Sequence, residues 1–101
     1  MKSKRSKACD IPDVVRARVG ERDNYTCIIC GKQGIPNAHY IPRSLGGLGV
    51  EENIVCLCSM CHYEYDNGSK RKEHGKTIES YLRSQYPYWN RGDCIYSKYD
   101  W

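Results

Sequence analysis

The chain has 101 residues, a formal net charge of +4 and 40% hydrophobic residues. That length suits one small domain, below the size at which a single core becomes generously stable, and no window approaches the apolar length of a membrane span. Nine Tyr and no Phe supply most of the aromatic volume. A buried Tyr must satisfy its hydroxyl, so the expected core is thin and partly polar, and a structural metal is the expected supplement.

The cysteine count is seven, which is odd. The N-terminal run Met1-Lys2-Ser3-Lys4-Arg5-Ser6-Lys7 leads into no apolar segment, so no secretory signal is expected. A reducing, cytoplasmic setting follows, and there CxxC pairs mean metal more often than disulfide. Four of the first seven residues are basic, and Lys70-Arg71-Lys72 forms a second cluster. Such patches suit a polyanion such as nucleic acid, although a short basic tail is more often a solvated, disordered end than a binding arm.

Residues 1–10 read as a disordered basic arm, and 11–101 as a single domain. Ile11-Pro12-Asp13 opens a short helix through Val14, Val15, Ala17, Arg18 and Val19; Gly20 ends its clear part, with an extension to Arg22 or Asp23 left open. Asn37 to Ile41 is short and β-like, ending at Pro42. Ser44-Leu45-Gly46-Gly47-Leu48-Gly49 reads as a loop too flexible for regular structure. Asn53-Ile54-Val55-Cys56-Leu57 is a second strand, rich in β-branched residues, and His62 to Asp66 opens a helix. Asn67-Gly68-Ser69 is a turn. A further helix is predicted from about Thr77 to Tyr86, stopped by Pro87. The tail to Trp101 has no clear period, and Tyr81, Tyr86, Tyr88 and Trp89 are expected to pack rather than stack on bases.

Cys27-Ile28-Ile29-Cys30 and Cys58-Ser59-Met60-Cys61 are two CxxC pairs separated by 27 residues. That spacing predicts a tetrahedral structural zinc site made by Cys27, Cys30, Cys58 and Cys61, with Gly31 permitting the tight turn of the first knuckle. Cys56 is expected in the core, and Cys9 and Cys94 as free thiols. The clamp encloses His39 and Asn53, and His62 follows its last cysteine, at spacings of 14 and 9 residues.

The text CIICG…AHYIPRSLGGLGVEENIVCLCSMCHYEYD, residues 27–66, resembles the HNH endonucleases of the ββα-metal nuclease superfamily. The matching features are CxxCG, a His-bearing strand followed by P-x-S-x-G-G, an Asn, and L-C-x-x-C-H. The resemblance implies a small zinc-stabilised α+β domain of ββα-metal type with flanking helices. It also implies a metal-dependent DNA endonuclease that nicks or cuts by water attack, leaving 5′-phosphate and 3′-hydroxyl ends.

Carried onto these positions, His39 is the general base and Asn53 holds the loop between the strands and thereby the base. His62 is a ligand of a catalytic divalent ion. Asp66, at i+4 on the same helix face, suits the same ion, with Mg²⁺ or Mn²⁺ expected. Arg43, Lys70 and Arg71 are candidate nucleic-acid contacts. The likeness to small phage and prophage HNH proteins implies a bacterial or phage-infected host cell, with a terminase or another DNA-processing protein as partner besides DNA. The protein would be a monomer or homodimer and bind no membrane.

The chain departs from the family pattern at Ala38, where an Asp or His ligand commonly precedes the base. Ala38 keeps a rival reading open: a catalytically weak or inactive zinc-stabilised DNA-binding module derived from an HNH nuclease. A protein-interaction zinc ribbon is a weaker third reading, since it has no use for His39, Asn53 and His62 together.

Overall fold

A computed structural model describes residues 2–97. Residues 98–101, the end of the aromatic tail, lie outside the described residues. Helices α1 (Lys4–Cys9) and α2 (Asp13–Asp23) precede an antiparallel hairpin of β1 (Ile35–His39) and β2 (Ile54–Leu57). Helices α3 (Ser59–Asp66) and α4 (Arg71–Gln85) follow, and short 3₁₀ turns span Arg43–Leu45 and Arg91–Cys94. The result is the expected small α+β domain. Among the described residues no helix is long and apolar enough to cross a membrane.

The expected disordered arm is instead the helix α1, with a fixed end. Ser3 caps it by accepting from the Ser6 N–H at 3.1 Å, which satisfies one of the first-turn donors. Cys9 is buried, the Ala8 carbonyl accepts from Gly49 N–H at 3.0 Å, and Arg5 donates to the Ser44 carbonyl at 3.0 Å. Asp10, just after the helix, pairs with Lys2 at 2.7 Å and with Arg43 at 2.9 Å.

α2 continues past Gly20 to Asp23 and ends where Asn24 turns left-handed at φ 55°. Its last turn is tied inward. The buried Asp23 carboxylate accepts from Arg22 at 2.7 and 3.0 Å, from the Cys56 N–H at 2.9 Å and from the Tyr81 hydroxyl. Arg22 in turn donates to the Glu51 and Ile54 carbonyls and to the Tyr86 hydroxyl. One ion pair thus joins α2, β2 and α4.

Within the hairpin Ile35 faces Leu57, Ala38 faces Val55 and His39 faces Ile54. β1 holds one more residue than β2 between the first two pairs, which is a bulge at Pro36-Asn37, where proline has no N–H to give the ladder. β2 is buried throughout. The main core packs Ala38, Tyr40, Ile41, Val55, Leu57 and Tyr65 against Ile78, Leu82 and Trp89. It is partly polar, as expected. Tyr65 donates to the Tyr40 carbonyl at 2.6 Å, Tyr40 to Glu79 at 2.5 Å, and Trp89 Nε1 to the Glu52 carbonyl at 2.8 Å. A smaller cluster joins Val19, Ile54 and Cys56, which places Cys56 in the core.

The glycine loop is not loose. A Cβ on Gly47 would lie 1.6 Å from the Ile41 carbonyl oxygen, and one on Gly49 would lie 1.8 Å from that of Asp10, so these glycines are needed for close backbone approach. The aperiodic tail pins the same loop, with Leu48 N–H on the Cys94 carbonyl and Tyr96 N–H on Gly46, both at 2.8 Å. α4 begins at Arg71, six residues before Thr77, and buries His74, Ile78 and Leu82 on one face. Tyr88 departs from the packing expectation, being 94% exposed.

Candidate functional site

The first CxxC turns tightly because Cys27 N–H donates to the Lys32 carbonyl at 2.6 Å and Gly31 N–H to that of Cys27 at 3.0 Å, with Gly31 at φ +82°. The second opens α3, and the Cys58 sulfur accepts from Cys61 N–H at 3.4 Å. These two turns bring Cys27, Cys30, Cys58 and Cys61 together, with ligand atoms all within 4.8 Å of one another and Cys30 and Cys58 sulfurs 3.5 Å apart. A tetrahedron with Zn–S bonds of about 2.3 Å has edges of about 3.8 Å, so the cluster could hold a metal ion such as zinc.

Burial raises the Cys27 thiol, but backbone N–H groups from Cys30, Cys58 and Ile29 outweigh it and bring it to about 7. Burial and its neighbouring thiols push Cys61 up. Thiolates this close cannot all ionise without a cation, and a divalent ion supplies one.

His74 was unassigned by sequence reasoning. It is buried, its Nε2 lies 3.0 Å from Glu64 Oε1, and with Cys61 and Glu64 it forms a second group within 4.8 Å. The spacing His74, Ile78, Leu82, four residues apart on one helix face, is the pattern that could have marked it as inward-facing. Cys9 and Cys94, expected as free thiols, are free and buried.

A cavity of about 890 Å³ lies beside the hairpin and brings together His39, Arg43, His62, Asp66 and Arg71. His39 Nε2 is 2.8 Å from the Cys9 carbonyl oxygen. A carbonyl can only accept, so Nε2 carries the proton and Nδ1 keeps its lone pair. Burial lowers the His39 pKa below its ordinary 6.5, against an opposing contribution from that same carbonyl. Burial therefore favours the neutral imidazole. His62 and Asp66 sit one turn apart on α3 with Nε2 and Oδ2 3.1 Å apart. They offer one nitrogen and one carboxylate, and among the described residues no third donor joins them within 4.8 Å. A hard ion there fits only if water and phosphate oxygens complete its shell.

Asn53 does not reach the cleft. It is fully buried and grips the loop that follows β1: its Oδ1 accepts from Ile41 N–H at 2.8 Å, and its Nδ2 donates to the Ile41 and Leu48 carbonyls at 3.2 and 2.9 Å. Its own carbonyl accepts from Tyr40 N–H at 2.8 Å. Asn53 is a positioning residue. Lys70 is also outside the cleft, 3.7 Å from Glu64. Arg43 is at the rim, held by Asp10, and Arg71 lies over the Tyr65 ring at 4.8 Å. Ala38 has no exposed surface and packs in the core, whereas Asn37 and His39 line the cleft. Among the cleft residues that escaped sequence reasoning are Asp10, and Asn37, whose Oδ1 is buried with no hydrogen-bond partner among the described residues. Neither carries a motif; only the folded α1 and the bulge bring them there.

No protein-family model, no curated protein and no solved structure matches this chain.

Proposed function

We propose that the protein is a zinc-stabilised, metal-dependent DNA endonuclease of the HNH kind, with the four-cysteine cluster holding a structural zinc. The observation that carries this reading is the single cleft lined by His39, whose Nε2 is engaged by the Cys9 carbonyl, and by the His62–Asp66 pair. Phosphodiester hydrolysis needs a base for water and a means of countering charge on the phosphate and the leaving oxygen. His39 Nδ1 takes a proton from water, the resulting hydroxide attacks phosphorus, the bond to the 3′-oxygen breaks, and that oxygen takes up a proton from solvent water, leaving 5′-phosphate and 3′-hydroxyl ends. His62 and Asp66 would hold Mg²⁺ or Mn²⁺, which would supply Lewis acidity against the developing negative charge. Asn53 holds the loop that carries Pro42 and Arg43, and the Cys9 carbonyl fixes the His39 tautomer.

The rival reading, a DNA-binding module without catalysis, is favoured by one observation: Ala38 faces the core, and the ion has two protein donors. Supercoiled plasmid incubated with zinc-loaded protein, with and without added Mg²⁺ or Mn²⁺, separates the two. Nicking that needs the added ion and disappears in His39→Ala supports the enzyme. Equal background in both proteins with retained DNA binding overturns it.

A further inference from the structure

A second groove, of about 710 Å³, lies between α4 and the Pro42–Leu45 turn. Pro42, Leu45 and Arg71 line both this groove and the cleft that holds His39, so the two adjoin. Four cations line it, Arg71, Lys72, Lys76 and Arg91, against one carboxylate, Glu79. Glu79 is already engaged, by the Tyr40 hydroxyl at 2.5 Å and by Arg83 at 3.1 Å, and these partners hold its carboxyl below the usual range. Lys72 and Lys76 are exposed one turn apart on α4 and form no ion pair with a described residue.

The floor decides what part of a nucleic acid fits. Tyr65 and Tyr40 are 3% and 7% exposed, and their rings are covered by Arg71 at 4.8 Å and Arg91 at 5.6 Å. Strands bound through their bases stack on open aromatic faces, and here those faces are capped by guanidinium groups. What remains accessible is charge, which contacts phosphates and positions a duplex without reading its sequence.

We propose that this groove carries the DNA backbone on one side of the reacting phosphate, with Lys72 and Lys76 as its phosphate contacts and Arg71 at the junction with the cleft. The inference rests on the nuclease reading for where the reacting phosphate sits, yet it is tested by binding alone. The full zinc-loaded chain is titrated onto a duplex over a range of salt, with no divalent ion added. Lys72→Ala/Lys76→Ala should reduce the log–log salt slope by about 1.8, since each lost contact is worth about 0.9. Arg18→Ala/Lys32→Ala, which removes equal charge from residues lining neither cavity, should leave it within a few tenths. An unchanged slope in the first variant, or an equal fall in both, overturns the proposal. If the slope falls as expected while the wild type never nicks DNA, the groove stands and the catalytic reading fails. If nicking is metal-dependent while the slope does not move, the groove assignment fails alone.

Discussion

Asn53→Ala isolates the tie on which the cleft loop depends. The side chain makes three hydrogen bonds, two buried ones to the Ile41 backbone at 2.8 and 3.2 Å and a part-buried one to the Leu48 carbonyl at 2.9 Å. Truncation leaves one N–H and two carbonyls without partners. A hydrogen bond is worth about 1 kcal/mol net, and a buried group left unpaired costs about 1–3 kcal/mol. A loss of about 3–5 kcal/mol is expected, a large part of the roughly 5–15 kcal/mol that holds a typical domain.

Urea unfolding of the zinc-loaded protein measures it, with zinc content per chain checked in parallel. Asn53→Asp sharpens the test at nearly constant volume. It keeps the acceptor for Ile41 N–H but points a carboxylate at two carbonyl oxygens, so at pH 7 it should be at least as destabilising as Ala. Nicking should fall in both, although neither touches His39 or His62. A loss below about 1 kcal/mol for Ala, or near-wild-type stability for Asp at pH 7, would refute the reasoning.

Three other outcomes follow from the same geometry. If His39 is the base proposed above, it acts only when neutral, and burial lowers its pKa below 6.5, so nicking should rise as pH increases through that lowered value and then level off. The sign for stability agrees: the unfolded chain binds a proton at His39 more readily, so stability contributed by this group falls as pH drops below 6.5, and His39→Gln should flatten both profiles. Cys30→Ser removes one thiolate from the cluster; since zinc-driven folding is worth about 10–16 kcal/mol in small zinc domains, the variant should lose zinc and cooperative unfolding, and a folded variant with full zinc content would count against the clamp. Asp23→Ala should destabilise by about 3–5 kcal/mol in urea unfolding, because it strands the Arg22 guanidinium, 11% exposed, among α2, β2 and α4; a change under about 1 kcal/mol would remove that ion pair from the account.

The parts of the fold legible in the sequence are those with a local cause. The CxxC spacing and Gly31 specify their turns by chemistry, and the β-branched run of β2 specifies a buried strand. The C-terminal half of α4 shows in Ile78 and Leu82. Its N-terminal half did not, because its one inward residue there is His74, and a polar side chain breaks an apolar period. α1 was missed for a related reason: its charge pattern is that of a solvated tail, and only the distant Gly49 N–H and Ser44 carbonyl show why it docks. The glycine loop read as flexible because glycine permits both freedom and close approach, and the choice between them is made by Ile41 and Asp10.

Each candidate side chain in the cleft is positioned by a different part of the chain. α3 starts at a cluster thiol, Cys58, and carries His62 and Asp66 on its next turns, so the metal-capable end sets their place. His39 owes its tautomer to a carbonyl at the end of α1, and Arg43 is held to Asp10, the cap of that same helix. The loop between them hangs on Asn53. Ala38 is consistent with this division. On β1 it faces inward to Val55 while its neighbours Asn37 and His39 line the cleft, so at this position a small apolar residue serves the core. The carboxylates that line the cleft come from elsewhere, Asp66 on α3 and Asp10 at the end of α1, and the second of these is brought there only because the N-terminal segment folds.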